Sequence, residues 1–306
     1  MLRRASILVP FALAVALAPA ARPAGRPAVA ALQVTLRHHH VYAGVIDGVV
    51  GPRTTAAIVR FQRRHRLTPD GVVGPATRRA FGRFARHGFG ARALAVGTSG
   101  WDVAALQFAL AWHGFPSGPI DGGFGAHTGW ALIRFQRWAR VGADGVAGAA
   151  TFRALRRPLP RCPLALAWPV RARIGDGFGP RGTGFHPGID LLAAAGTSVR
   201  AAAGGRVVFA GRDHSGYGKW VELAHGNGVV SLYAHLSAVS VRNGQGVGVG
   251  TRVGRVGSTG EATGPHLHFE VRVRGAAVDP LPALKGLAPR HVRVPAPGGV
   301  RAAADR

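Results

Sequence analysis

Apolar positions recur with two different periods along this chain. In the first half they follow helical spacing, as in Leu32 and Leu36, which lie four residues apart. From Trp168 onward the apolar residues form short β-rich runs separated by glycine-rich turns. Residues 219–225 and 229–235 flank an Asn-Gly dipeptide, which is typical of a β-hairpin. The pattern therefore predicts an α-helical first half and a mostly antiparallel β second half.

The helical half contains one unit twice, displaced by 74 residues from Asp47 to Asp121. Ile46-Asp47-Gly48 returns as Ile120-Asp121-Gly122, and Phe61-Gln62-Arg63 returns as Phe135-Gln136-Arg137. Elements that recur in the same order at a constant offset indicate duplication of one structural unit. The second half shows no such repeat.

Each unit is predicted to form three short helices. Pro52 and Pro75 are expected to begin two of them, because proline is favoured at the first helical position. The motif residues Asp47 and Asp121 are interpreted as turn residues, and Thr54 and Thr128 as helix caps. Four tryptophans of the second unit are predicted to pack in its core rather than form a glycan-stacking platform: Trp101, Trp112, Trp130 and Trp138.

The N-terminal segment has the pattern of a secretory signal peptide. Arg3 and Arg4 precede an apolar run over residues 7–17, and small residues lead to cleavage after Ala20, with Ala30 as the second choice. The run is too short for a comfortable membrane span, so we expect no stable span after cleavage. The single cysteine, Cys162, has no partner in the chain for an internal disulfide.

The predicted organisation follows from these changes of pattern. It comprises a signal peptide (1–20), two repeats (25–87 and 94–157), a proline-rich linker (158–168), a β domain (169–284) and a tail that we expect to be disordered (285–306).

Charge narrows the choice of partner. The chain has 39 basic and 13 acidic residues, for a net charge of +26, and such a protein concentrates on polyanions. The basic residues are spread along the chain and no nucleic-acid fold motif is visible. We therefore expect no specific nucleic-acid binding, and the anionic bacterial cell wall is the favoured partner.

The β domain holds the candidate chemistry. His186 and Asp190 flank a Pro-Gly turn, and His266 and His268 lie two apart on a predicted strand, so both imidazoles face one side. Histidine and carboxylate side chains form zinc sites with three protein ligands and an open fourth position, as hydrolysis requires. His235 ends a hairpin arm in the same domain. The spacing alone leaves four possible ligands: His186, Asp190, His266 and His268.

These motifs resemble the lysostaphin-type (LytM-like) zinc endopeptidases over residues 168–282. The resemblance is carried by 178–181, 186–190, 233–236 and 257–270. It implies that His186, Asp190 and His268 hold one Zn²⁺ per chain, and that His235 and His266 are the catalytic groups. Which histidine is the general base stays open.

The repeats resemble the helical peptidoglycan-binding domain, whose pattern is LQ, DGxxGxxT, FQ and again DGxxGxxT. Together the resemblances imply a secreted, wall-associated or periplasmic peptidoglycan endopeptidase; the alternative is a non-catalytic wall-binding activator of other hydrolases. The bond that is cut is not readable from the sequence.

The sequence leaves the roles of two residues near the predicted site undecided. Some relatives place a tyrosine in the loop before the first histidine, where this chain has none; Arg181 is a candidate for the missing transition-state donor. Glu270 either orients a ligand histidine or faces solvent.

Overall fold

A computed structural model describes residues 25–213 and 216–285. The predicted signal peptide and the predicted tail beyond Lys285 lie outside these residues. The helical half consists of α1 (Pro27–His38), α2 (Pro52–Arg64), α3 (Pro75–Ala80), α4 (Trp101–Trp112), α5 (Ala126–Ala139) and α6 (Ala149–Ala154), with a short 3-10 helix at Gly82–Ala85. The prediction of three helices per repeat is confirmed, and α2 and α3 begin at Pro52 and Pro75.

A buried glutamine explains the repeated motif of each unit. The Gln107 amide nitrogen donates to Asp121 Oδ1 (2.9 Å) and Thr128 Oγ1 (3.2 Å), and its oxygen accepts from the Gly122 N–H (2.9 Å). One side chain thus ties α4 to the loop and to the first turn of α5. Three other glutamines form the same network with their own motifs: Gln33, Gln62 and Gln136.

The prediction that the motif threonines cap helices is wrong. Glycines occupy the N-cap positions of α2 and α5, and no side chain makes a cap hydrogen bond there. Thr54 and Thr128 lie inside the first turn of their helices. There, the hydroxyl oxygen of each threonine accepts a hydrogen bond from the amide nitrogen of the buried glutamine. The aspartates do act as turn residues, since Asp121 Oδ1 accepts from the Gly123 N–H at 2.8 Å.

The two repeats pack through equivalent helices, α1 against α4. This contact buries Leu36 and Phe108 completely. Trp112, at the C-terminal end of α4, is also buried, but Trp130 on α5 is 69% exposed, so the prediction that it packs in the core is wrong. Trp130 lies on the solvent-facing side of α5, so its ring does not contact the core.

The β half contains fifteen short strands in the described residues. They are β1 (Leu166–Ala167), β2 (Arg173–Ile174), β3 (Gly179–Arg181), β4 (Gly184–His186), β5 (Ile189–Leu192), β6 (Ser198–Arg200), β7 (Gly205–Arg212), β8 (Lys219–Ala224), β9 (Val229–Ala234), β10 (Leu236–Val239), β11 (Gly246–Val247), β12 (Arg252–Val256), β13 (Leu267–Val273), β14 (Ala276–Val278) and β15 (Leu284–Lys285).

One large sheet organises this half, in the order β11-β7-β8-β9-β13-β5-β2, with β14 on the edge of β13. All of its pairs are antiparallel, which confirms the predicted fold class. The expected hairpin joins β8 and β9, and Asn227 and Gly228 adopt positive φ angles there (51° and 71°), as a type I′ turn requires. Smaller sheets, β10-β12-β6 and the β3-β4 hairpin, lie beside it.

The segment predicted as a linker is partly structured. Leu166 is buried, and β1 pairs in parallel with β15 at the other end of the β half. The pairing brings both ends of this half together. Within 25–213 and 216–285, the helices are all too short or too polar to cross a bilayer.

The glutamine network makes the following prediction. Gln107→Ala should lower the free energy of unfolding by about 2–4 kcal/mol, because several buried groups lose their hydrogen-bond partner. Urea unfolding of the full chain, followed by tryptophan fluorescence, measures the change. Gln245→Ala, which removes a loop hydrogen bond to the Arg242 N–H, is the control and should cost less than about 0.5 kcal/mol. Equal unfolding midpoints for the two variants would contradict a structural role for Gln107.

Candidate metal centre

Strand register brings three predicted site residues together. In the antiparallel β5–β13 pair, His268 lies directly opposite Asp190. His186 ends β4, and the following Pro187-Gly188 turn leads the chain into β5. Gly188 is required because a Cβ there would collide with the Phe269 carbonyl on β13. The turn therefore lies against the strand that carries His268, and His186 enters the same space.

Three ligand atoms converge in this space. His186 Nε2 lies 3.0 Å from His268 Nδ1 and 3.1 Å from Asp190 Oδ1, and His268 Nδ1 lies 2.8 Å from the same carboxylate oxygen. Among the described residues, His186, Asp190 and His268 form a group that could hold one metal ion. His186 and His268 are buried, and Asp190 is nearly so.

Hydrogen bonds on the far sides of the two rings assign their protons. His186 Nδ1 lies 2.9 Å from the Gly177 carbonyl and His268 Nε2 lies 3.0 Å from Glu270 Oε1, so each of these nitrogens donates. The opposite nitrogens, His186 Nε2 and His268 Nδ1, then carry lone pairs in the neutral rings. Three electron-pair donors that face one point can hold a cation between them. This nitrogen and oxygen donor set fits zinc.

Glu270 is a buried partner of the cluster. Its side chain has no exposed surface and accepts from His268 Nε2, from the Tyr217 hydroxyl (2.6 Å) and from Arg272 Nε (2.8 Å). Burial opposes its ionisation, but the hydrogen bond from His268 and the charge of Arg272 outweigh burial and lower the pKa of Glu270 to about 2. Of the two sequence interpretations, the structure supports the orienting one, because a solvent-facing position is excluded.

His235 and His266 lie beside the three converging atoms. Their ring centroids are 4.8 Å apart, and His266 Nε2 lies 3.7 Å from Asp190 Oδ1. His235 Nδ1 donates to the Thr259 carbonyl and His266 Nδ1 to the Gly264 carbonyl, both at 2.8 Å. Each ring therefore keeps Nε2 as its acceptor. Burial, together with the charges of His266 and His268, lowers the pKa of His235 and favours its neutral form.

Other cleft residues escaped the sequence reasoning. The cleft has a volume of about 810 Å³, and its walls include Asp176, Tyr217, Glu261 and Thr263. Tyr217 is one of three tyrosines in the chain and lies in the β7–β8 connection, outside the motifs that predicted the site. Its hydroxyl points to Glu270 rather than replacing the tyrosine that is absent before His186.

Arg181 does lie in the cleft. Its Nη1 is 3.5 Å from Asp190 Oδ2 and 3.4 Å from Asp176 Oδ2, and its side chain is 57% exposed. The guanidinium therefore contacts the Asp190 oxygen that faces away from the histidines.

Comparison with protein families agrees with this architecture. Residues 184–280 match the model of peptidase family M23, and residues 25–81 and 99–155 match the model described as "Putative peptidoglycan binding domain". The β half is therefore an M23 (LytM-type) peptidase domain, preceded by two peptidoglycan-binding repeats.

Curated relatives match mainly the β half. The chain is 53% identical over 97 residues to the DD-carboxypeptidase/endopeptidase Mpg of Neisseria meningitidis, covering 32% of this chain and 22% of Mpg. It is 38% identical over 148 residues to the peptidoglycan DD-endopeptidase ShyA of Vibrio cholerae, covering 46% and 33%. It is also 38% identical over 117 residues to the murein hydrolase activator NlpD of Salmonella typhimurium, covering 38% and 30%. The chain thus spans a third or less of the length of these relatives.

Solved structures with similar sequences include the catalytic domain of lysostaphin from Staphylococcus simulans. That domain is 37% identical, with 36% of this chain and 90% of the domain covered and a TM-score of 0.35. A zinc-containing peptidase from Vibrio cholerae is 34% identical, with coverages of 38% and 39% and a TM-score of 0.36.

The hydrogen bond between Glu270 and His268 can be tested through metal affinity. Glu270→Gln removes the charge that orients the His268 ring, and we expect Zn²⁺ to bind about 10–100-fold more weakly. Competition with a chromophoric chelator measures the affinity. Glu261→Gln, in the same cleft but outside the cluster, is the matched control and should bind Zn²⁺ as the wild type does. An unchanged affinity in Glu270→Gln would show that the ring is held by other contacts.

Proposed function

We propose that this protein is a secreted peptidoglycan hydrolase, a zinc-dependent endopeptidase that cleaves a stem-peptide or cross-bridge peptide bond in the bacterial cell wall. The observation that carries the proposal is the convergence of three possible ligand atoms, His186 Nε2, Asp190 Oδ1 and His268 Nδ1, next to two further imidazoles in an open cleft. Peptidase family membership of this domain supports the same chemistry.

His186, Asp190 and His268 would hold the zinc ion, which when bound polarises the scissile carbonyl and activates water for attack. His235 and His266 have their Nδ1 protons committed to backbone carbonyls. Each can therefore accept a proton at Nε2 and, once protonated, donate from the same atom. One imidazole, neutral at Nε2, would take the proton of the attacking water and pass it to the leaving amine, and the other, already protonated at Nε2, would donate a hydrogen bond to the developing oxyanion.

The repeats would hold the polymer near the cleft. Binding through two modules raises the effective concentration of the peptide at a site that binds it weakly by itself. The net charge of +26 adds non-specific attraction to wall anions. Both contributions favour a location at the cell wall or in the periplasm.

The fold bears on the proposed signal cleavage. The second candidate site, after Ala30, lies within α1, where Ala30 and Ala31 are completely buried. Cleavage there would remove the first turn of this helix. We therefore propose cleavage after Ala20, which N-terminal sequencing of the secreted protein tests.

A non-catalytic activator of other wall hydrolases is the second candidate, because the relative NlpD is named as a murein hydrolase activator. In this chain all three ligand positions and both imidazole positions are filled by residues with the required lone pairs. Activity of the purified protein separates the two functions, since an activator releases nothing from peptidoglycan by itself.

Substitution of single histidines should separate metal binding from catalysis. We expect His235→Ala to retain one zinc per chain but to lose cleavage of purified peptidoglycan by about 10²–10⁴-fold, the usual contribution of a general acid or base. His186→Ala should lose both zinc and activity, and a chelator should reproduce its activity loss in the wild type. Metal analysis and mass spectrometry of the released fragments provide the readouts.

His127→Ala, an exposed histidine on α5, is the control for these substitutions and should behave as the wild type. If His235→Ala cleaved peptidoglycan at the wild-type rate, His235 would have no catalytic role. The fragment masses also identify the bond.

The proposed partner can be tested separately from the chemistry. At about 0.15 M salt, where surface charges are screened beyond roughly 8 Å, the protein should pellet with purified sacculi and should not shift duplex DNA. The sacculus-bound fraction should fall but persist at higher salt, because only the charge-driven part is screened. Loss of all binding together with a DNA shift would instead indicate a general polyanion binder.

A further inference from the structure

The two repeats hold the tip of one hairpin in the peptidase domain. The Ile46 N–H donates to the Gly182 carbonyl (3.0 Å), and the Ile120 N–H donates to the Thr183 carbonyl (2.7 Å). Ile46 and Ile120 are equivalent positions of the two repeats. Because α1 packs against α4, the equivalent loops come side by side and meet consecutive carbonyls between β3 and β4. Duplication of the module has thus produced a two-point contact with one turn.

Trp112 supports the base of the same hairpin. Its ring centroid lies 5.4 Å from that of Phe185 and 6.2 Å from that of Phe178, both edge-to-face. Gly179 also lies next to the indole, because a Cβ built there would be in van der Waals contact with the Trp112 ring at 3.7 Å. The contact buries the indole, which is only 7% exposed.

The two repeats differ at the position of Trp112. The equivalent residue of the first repeat is His38, which ends α1 as Trp112 ends α4 and stacks on Phe84. A repeat therefore folds with histidine at this position. The tryptophan of the second repeat packs on Phe108 of its own helix (6.2 Å between ring centroids) and, in addition, contacts the hairpin.

A second contact joins this repeat to the strand next to the cluster. The Ala277 N–H on β14 donates to the Gly114 carbonyl at 3.1 Å. Gly114 has a φ of 89°, and a Cβ there would collide with the Ala277 backbone, so only glycine permits this approach. Since β14 pairs with β13, the second repeat contacts both the hairpin and the neighbour of the strand that carries His268.

The hairpin itself forms a wall of the cleft. It carries Arg181, with Nη1 3.5 Å from Asp190 Oδ2, and ends at His186. In the described residues, β3 and β4 pair only with each other. An isolated two-stranded hairpin is marginally stable in water. Its position therefore depends on what packs against it: the cluster that Arg181 and His186 contact on one side, and Trp112 with the two loop amides on the side of the repeats.

We propose that the repeat pair is a positioning element of the peptidase domain: Trp112, with the loops at Ile46 and Ile120, orders the β3–β4 hairpin and sets Arg181 against Asp190. The proposal rests on the proposed function for its catalytic consequence. It assigns the repeats a role in shaping the cleft that is separate from binding the polymer. The contacts lie on the hairpin's tip and base and leave Arg181 facing the cleft.

The test replaces Trp112 by the residue that the first repeat uses. In the full chain, Trp112→His should increase amide hydrogen exchange of the segment 179–186 by at least about tenfold, because the local opening free energy of the hairpin falls. Trp130→His makes the same substitution at an exposed position of the same repeat and should leave this exchange unchanged. Trp112→Phe, which keeps an aromatic ring, should restore most of the protection.

Turnover is measured on a soluble muropeptide dimer, so that binding to the cell wall does not contribute to the measured rate. We expect Trp112→His to lower kcat at least about tenfold, since small displacements of active-site groups cost large factors in rate. Zinc content should stay at the wild-type level in this variant and in Trp130→His. The Trp112→Phe rescue separates positioning from a general loss of structure.

Phe185→Ala removes the contact from the hairpin side and leaves the repeat intact. It should reproduce the faster exchange if Trp112→His proves to unfold the second repeat, which exchange in α5 would reveal. Unchanged exchange of 179–186 in both variants would overturn the proposal, as would unchanged kcat despite faster exchange. If the wild type cleaved nothing, the proposed function would fail, but the exchange rates would still decide whether the repeats order the hairpin.

Discussion

The antiparallel pairing of β5 with β13 is the constraint on which the site depends. It places Asp190 and His268, which are 78 residues apart, directly opposite each other, with their ligand atoms 2.8 Å apart. A shift of one strand by one residue in this register would place the two side chains on opposite faces of the sheet. The burial of Ile189, Leu191, Leu267 and Phe269 on these strands opposes such a shift. The apolar core thereby fixes the distance between two polar ligands.

Around this pair, a buried network fixes the direction of each donor. Glu270 orients His268, and backbone carbonyls orient His186, His235 and His266. Such a network is stable only because every buried group in it has a partner, and an unpaired buried carboxylate would be costly. The three inward donor atoms, His186 Nε2, Asp190 Oδ1 and His268 Nδ1, lie close to one another and form a group that could hold a metal ion. The domain thus combines a buried apolar sheet with a polar cleft whose donor atoms are arranged by hydrogen bonds.

In the repeats, too, buried polar groups are held in place by hydrogen bonds to one another. One buried glutamine per motif joins an aspartate, a backbone amide and a threonine, which explains why these residue types recur at one spacing in all four motifs. The sequence predicted the duplication, the six helices and the proline starts, since these follow from local periodicity and backbone preference. It did not predict that the threonines bind glutamine instead of capping, or that Trp130 is exposed, because both depend on contacts between helices.

The sequence by itself determined the fold class, the repeat and the residue types of the metal site, because motif spacing and strand periodicity are local properties of the chain. Only the tertiary structure decided that Glu270 is buried behind His268, that Tyr217 and Arg181 reach the cleft, and that both repeats contact one hairpin. These arrangements join segments that are far apart in sequence, and each depends on strand register or helix packing. Local preference carries no information about which distant segments meet, so their contacts follow from the packed core alone.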